Sequence, residues 1–345
     1  RHIHLGHRPV PETARGQPMT RLTRIFGAEV VWLTAVLILV LLVFSLAAPR
    51  FLSAANFGSI AFQLPELGLL TLAMLIPIIS GGLNLAIIYT ANMAGLTLAW
   101  WLNTHGGVEA GVLAAIVGSV MALAVGAAAG CLMGLVIAYV GAHPILVSLS
   151  MMIFLRGLGE FLTRGGDISG FPEFLEPIGH GLILGIPVPL ILFGLAALAW
   201  HILLSHTRHG FAVRMIGSNL RAAEYAAIPT ARAPTLLYTL SGVMAALAGI
   251  LMLTRFNSVR VGHGEALLLV TVLACFLGGV DPFGGFGKVF PVVIALVILQ
   301  VLSSGLNLLG ANQHLSTAVW GLVLIAVMVF RFIGQRWRPA LSRKD

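Results

Sequence analysis

Residues 110–140 read AGVLAAIVGSVMALAVGAAAGCLMGLVIAYV, a stretch without one charged side chain. A helix crosses a bilayer on about 20 apolar residues. This stretch exceeds that length and is expected to tilt or kink, since length alone sets no angle. Working outward, further apolar runs stand at about 31–48, 60–79, 84–102, 145–162, 183–204, 235–254, 266–280, 289–309 and 315–333. That makes ten candidate spans, of which only 266–280 is too short for an upright crossing. Glycine and alanine recur three to four positions apart in GAAAGCLMG (126–134) and SGVMAALAG (241–249), the spacing that lets membrane helices pack closely.

Composition agrees with this reading. Of 345 residues, 58% are hydrophobic and 9% charged, with a mean hydropathy of +0.99; soluble domains carry about 25% charged residues. A water-soluble fold is excluded, and no segment between the runs is long enough for a soluble catalytic domain of ordinary size. The predicted fold class is all-α: a polytopic membrane protein of about ten transmembrane helices, with broken or short helices around a central path. The organisation expected is an N-terminal cytoplasmic segment (1–28), a membrane domain (29–333) and a cytoplasmic tail (334–345). The leader lacks the apolar stretch of a signal peptide, and Met19 is the expected natural start.

The net charge of +8 reads as topology and not as affinity for nucleic acid, because cytoplasmic loops carry the excess of Lys and Arg. If both termini lie inside, fifteen of the twenty basic residues fall on the cytoplasmic side, and Arg50, Arg156, Arg164, Arg255 and Arg260 on or near the outer one. Both termini are therefore expected in the cytoplasm. Cys131 and Cys275 sit within apolar runs, as buried small hydrophobes do.

Two connections are long. The outer one, TRGGDISGFPEFLEPIGHG (163–181), is acidic and rich in Gly and Pro, as in a solvated loop able to meet a partner. The inner one, 205–234, carries four arginines. Within it 219–227 reads as a short surface helix: Asn219 is a candidate N-cap, Arg221 and Glu224 lie three apart on one face, and Pro229 stops it.

An ATP-driven machine needs G-x-x-x-x-G-K-[ST]. The nearest text, PFGGFGKV (282–289), has Pro282 for the first Gly and Val289 for the Ser or Thr, so any ATP is bound by another chain. No nucleophile elbow, H-E-x-x-H or metal-spaced set of His, Cys and carboxylates is present. The protein is thus read as no enzyme, with no catalytic residue, metal or cofactor. Glycine pairs beside a polar residue break helices, and broken helices point free backbone groups at a transport path. SGGLNL (80–85) and LGGVDPFGGFG (277–287) fit, which makes Gly81, Gly82, Asn84, Gly278 and Gly279 path candidates. A turn with Asn84 as N-cap of the next helix is the alternative. Polar side chains within spans are costly and face the bundle interior or a cavity; these are Gln63, Glu66, Asn92, Arg156, Glu160, Gln300 and Asn307. Asn92 and Asn307 join the path candidates or bond helix to helix. Arg156 and Glu160, four apart, are expected to pair.

Six segments in order carry a family resemblance: SGGLNL (80–85), GLVIAYVGAHPILVSLSMMIFLRGL (134–158), TRHGFAVRMIGSNLRAAEYAAIP (207–229), LYTLSGVMAALAGILMLTRFNS (237–258), LGGVDPFGGFGKV (277–289) and LQVLSSGLNLLG (299–310). Together they resemble the membrane permease of ribose-type sugar ATP-binding-cassette (ABC) importers. The resemblance implies a transmembrane core of two permease copies, a pair of ABC ATPase subunits on the cytoplasmic side, and a solute-binding protein delivering cargo from outside. It also implies a coupling helix that docks on the ATPase, matching Gly217, Asn219, Arg221, Ala222, Ala223 and Glu224. Two departures stand out. The family's G-G-I-D-L-S-V-G is Gly81, Gly82, Leu83, Asn84, Leu85, Ala86, Ile87 and Ile88 here, so a carboxylate and a hydroxyl are gone. The glycine closing the coupling segment is Ala227. The expected function is import of a monosaccharide or similar polyhydroxylated solute across the inner membrane by alternating access. A permease for nucleosides or another non-sugar solute, or a stand-alone secondary transporter, is the alternative.

Overall fold

The computed structural model describes residues 28–230, 232–312, 315–323, 325 and 329. The N-terminal segment with Met19, the tail 334–345, their basic residues and most of the last apolar run past 323 lie outside the described residues. The chain is all-helical apart from two-residue strands. In order it forms α1 (Ala28–Ala47), α2 (Ala54–Ile79), α3 (Ile87–Thr104), α4 (Val112–Leu135), α5 (Pro144–Thr163), α6 (Glu176–His180), α7 (Val188–His206), α8 (Arg208–Ser218), α9 (Leu220–Tyr225), α10 (Arg232–Phe256), α11 (Leu267–Leu277) and α12 (Val289–Leu308); residues 315–323 are helical again.

Seven of these, α1, α2, α4 extended to Val140, α5, α7, α10 and α12, are long and apolar enough to cross a membrane. Helix α3 has the length but is diluted by Thr90, Asn92, Thr97, Asn103 and Thr104. Helix α11 has 11 residues, about 16 Å of rise against a hydrocarbon core of about 30 Å. The long run resolves as α4 followed by a π-helical turn, Val136–Val140, which loosens its end before Gly141 and Pro144 start α5.

Helix α2 is the axis of the bundle. Every residue from Leu64 to Ile79 is buried, and α10, α11, α12 and α7 pack around it. It holds Pro65 and Pro77. A proline has no N–H, so Pro77 leaves the carbonyl of Ala73 without its helical partner. The Ser241 hydroxyl of α10 donates to that carbonyl at 2.7 Å and accepts from Asn84 Nδ2 at 2.8 Å. In lipid such groups must be satisfied internally, and this buried chain satisfies three at once.

Helices α4 and α10 run antiparallel in backbone contact. A Cβ on Gly130 would overlap the Tyr238 carbonyl, one on Gly134 would lie 2.5 Å from Thr235 Cα, and one on Gly242 would overlap the Gly126 carbonyl. The glycines expected to pack helices therefore do so through their missing side chains.

The chain alternates between two faces. One gathers the start of α1, the 80–86 and 278–288 loops, and α8 with α9. The other gathers 164–187 and the residues after α10. There β1 (Ile168–Ser169) pairs antiparallel with β4 (Ser258–Val259), and the Phe171 amide donates to Asn257 Oδ1 at 3.0 Å. β2 (Leu182–Ile183) and β3 (Ile186–Pro187) form a hairpin. The acidic connection read as a solvated loop is thus tied to α10 by strand pairing. Arg156 and Glu160 pair at 3.0 Å as expected, and Arg156 also reaches Glu265 at 3.7 Å.

Gly130→Ala is expected to force α4 and α10 apart at a cost of roughly 1–3 kcal/mol, the range for an overpacked core. Gly194→Ala, whose Cβ meets nothing within 4 Å, should leave the protein unharmed. Melting of the detergent-purified protein checks both: the first variant melts lower, the second does not.

Candidate functional site

Two places in the bundle concentrate the residues of interest. The first is a junction of three loops. Gly217, near the end of α8, abuts the end of α2 so closely that a Cβ would overlap the Ile79 carbonyl and lie 2.6 Å from the Gly285 amide. The Gly285 amide donates to that same Ile79 carbonyl at 2.8 Å. Gly284, in the left-handed region at φ +91°, would place a Cβ 2.6 Å from the Gly81 amide, so only glycine fits. The two glycine-pair segments and the surface segment therefore meet, backbone against backbone. Gly279 lies beside the Glu29 carboxylate at the start of α1, and Gly278 against Val292 of α12.

From this junction the chain turns inward. Gly82 packs on Tyr238 and Pro144, and the Leu83 carbonyl accepts from Ser148 Oγ at 2.9 Å. Asn84 is fully buried, and its Oδ1 accepts from the Ala86 amide at 3.1 Å. Ala86 is the N-cap of α3, so Asn84 supports that end from two residues upstream instead of capping it directly. Helix α3 begins at the depth of Ala73 and Ser241, inside the bundle.

The surface segment has the expected local chemistry. Asn219 is the N-cap of α9, its Oδ1 accepting from the Ala222 amide at 3.0 Å. The helix itself is shorter than expected, Leu220–Tyr225, because Ala226 already closes it. Ala223 is buried; Arg221, Ala222 and Glu224 are exposed. The Ile228 amide reaches back to the Ala223 carbonyl at 3.1 Å, with Ala227 at φ +56°. This is the closing geometry in which glycine is usual.

The second place is a polar cleft opening on the opposite face, between α2, α12, α10, α11 and the 315–323 helix. An outer cavity of about 320 Å³ is lined by Arg50, Asn56, Ser59, Gln63, Ser304 and Asn307 among others. An inner one of about 180 Å³ is lined by Gln63, Glu66, Arg255, Gln300 and Trp320 among others. Gln63 and Ser303 border both. Gln300 donates to Gln63 Oε1 at 3.0 Å, and Ser304 to Asn56 Oδ1 at 2.5 Å. Glu66 and Arg255 form an ion pair of 2.7 Å with side chains only 10% and 15% exposed.

Of the path candidates, Asn307 borders the cleft, exposed at the end of α12. Gly81, Gly82, Gly278 and Gly279 belong to the junction, and Asn84 to the buried chain beneath it. Asn92 is buried on α3; with its amide turned to match its neighbours it donates to the His263 carbonyl at 3.1 Å and accepts from the Gly262 amide at 3.0 Å. It ties the 260–265 loop down, where burial and nearby Arg260 hold the His263 imidazole below its ordinary range. Gln63, Glu66 and Gln300 stand out in sequence only as polar residues within spans, and Arg255, the partner of Glu66, and Ser303, which lines the same cleft, carry no such signal.

Among the described residues no group of three or more His, Cys, Asp or Glu could hold a metal ion. A multi-pass helical bundle with a polar cleft and a short capped surface helix is the architecture of a membrane transport subunit. Residues 56–328 match the family described as "Branched-chain amino acid transport system / permease component". The chain belongs to this family: it is the permease subunit of an ABC importer in the inner membrane, not the catalytic chain, and works with ATPase and binding-protein partners. It is similar to the "Autoinducer 2 import system permease protein LsrD" of Yersinia enterocolitica, 31% identical over 319 residues, 90% of this chain and 93% of that one. The proteins of the same name from Yersinia pseudotuberculosis and Yersinia pestis are 30% identical over 321 residues, with the same coverage. No solved structure matches.

Ala227→Gly removes a left-handed alanine and is expected to stabilise the end of α9 by roughly 1 kcal/mol. Amide exchange across 220–228 in the assembled transporter should slow about fivefold.

Proposed function

We propose that the chain imports a small, uncharged, polyhydroxylated solute, a monosaccharide or close relative, and that the cleft from Asn307 to Arg255 is the outer half of its path. One observation carries this: the walls offer amides and hydroxyls from Asn56, Ser59, Gln63, Gln300, Ser303 and Ser304, donors and acceptors suited to a solute made of hydroxyls. The relatives' autoinducer 2, sugar-like in character, is of this class. An amino acid, as the family description has it, needs a free cation and a free carboxylate; here the charges of Glu66 and Arg255 already cancel each other.

The coupling residues are Gly217, Asn219, Arg221, Ala222, Ala223 and Glu224: Asn219, Arg221, Ala222 and Glu224 are exposed toward the ATPase on the cytoplasmic side, where both chain termini also lie, and Gly217 and Ala223 pack beneath them. Counted with both terminal segments on that face, fifteen of the twenty Lys and Arg lie there, which supports the orientation. Closure of the ATPase pair pushes on α9. The push passes through Gly217 to the loops of Gly81, Gly82, Gly278 and Gly279, and so to α2, α3, α11 and α12, whose rearrangement switches the open side. A second permease copy, identical or a sister chain, completes the path.

Gln63→Leu and Gln300→Leu are each expected to lower uptake about tenfold, the worth of a hydrogen bond lost to the moving solute, at unchanged membrane level. Uptake of radiolabelled neutral monosaccharides and of leucine, by cells carrying the complete transporter, tests the reading. Sugar uptake without leucine uptake is the expected result. Leucine uptake, or sugar uptake untouched by both substitutions, contradicts it.

A further inference from the structure

Glu66 lies midway along α2 and Arg255 in the last turn of α10. A charge buried in a bundle is costly unless paired, and this pair is made through a single contact, Oε2 to Nη1 at 2.7 Å. Arginine can grip a carboxylate with two parallel bonds. Here Glu66 Oε1 and the other guanidinium donors have no hydrogen-bonded partner among the described residues, while both side chains border the inner cavity. The remaining polar lining there, Gln63, Gln300 and Ser303, is uncharged.

We propose that Glu66 and Arg255 form the selectivity element of the path, a cancelled charge pair that passes neutral polyols and turns away ionised solutes such as sugar phosphates. This rests on the cleft being the path. An ion entering the inner cavity loses water and meets a charge of its own sign as closely as one of the opposite sign, so nothing offsets its desolvation. A neutral polyol meets spare acceptors on Glu66 and spare donors on Arg255. At the mouth the exposed Arg50 adds a positive field, which salt screens over about 8 Å under physiological conditions, leaving discrimination to the inner pair.

The test places a single cysteine at Ser303→Cys in a chain carrying Cys131→Ala and Cys275→Ala, within the complete transporter in spheroplasts. The probes, added outside, are the anionic sulfonatoethyl and the cationic trimethylammonioethyl methanethiosulfonates, each rate normalised to a free thiol in solution. Glu66→Gln should raise the anion-to-cation rate ratio on the order of tenfold, and Arg255→Gln should lower it by a similar factor. The double variant should return it to the parent value. If a single variant fails to reach the membrane, Gln300→Glu adds one negative charge to the same wall with the pair intact and should lower the ratio likewise. A labelled cysteine whose ratio ignores these charges overturns the proposal and leaves the path standing. A cysteine that reacts only after denaturation overturns the path itself.

Discussion

The contact on which the architecture turns is the approach of Gly217 to the end of α2, where no side chain separates one backbone from the other. A surface helix joined to the bundle through flexible side chains would absorb a push. Here the Ile79 carbonyl is pressed by Gly217 and bonded by Gly285, so α8, the 80–86 loop and the 278–288 loop move together or not at all. Close-packed contacts of this kind transmit displacement because they are stiff. The glycines of the junction are needed for proximity as much as for turning.

The same economy of backbone groups explains why the bundle tolerates a broken helix at its centre. Pro77 frees one carbonyl, the start of α3 frees amides, and Ser241 and Asn84 join the two vacancies in one hydrogen-bonded chain. A carboxylate at position 84, as in ribose-type relatives, would place a charge there. Asparagine supplies a donor to Ser241 and an acceptor to Ala86 without one. The departure from the family pattern is therefore chemically self-consistent within this chain, and the polar cleft around Gln63 and Gln300 lies further toward the start of α2.

Much of the fold was legible because lipid leaves few choices: apolar runs become helices. Helix α9 was legible because its signals are local, Asn219 at one end and Pro229 beyond the other. What stayed hidden is what depends on residues far apart. Glu66 and Arg255 are separated by 189 positions, and nothing near either names the other. Asn92 reads as a residue of a membrane helix, yet its partners are backbone groups of Gly262 and His263. The pairing of Ile168–Ser169 with Ser258–Val259 is too short to leave an alternating pattern. The glycine-pair segments signalled broken helices, but their convergence on Gly217 is a property of the assembled bundle.

These features lie along one helix: a polar cleft at one face, a stiff junction at the other, and α2 running between them. The most direct measurement is the ratio of solute moved to ATP hydrolysed by the complete transporter in proteoliposomes, comparing the unaltered chain with Gly217→Ala inserted to the same level. A methyl group at the contact should let hydrolysis continue while the ratio falls about tenfold, the effect of roughly 1.4 kcal/mol lost from the coupled step. A well-inserted Gly217→Ala protein with an unchanged ratio would contradict the account.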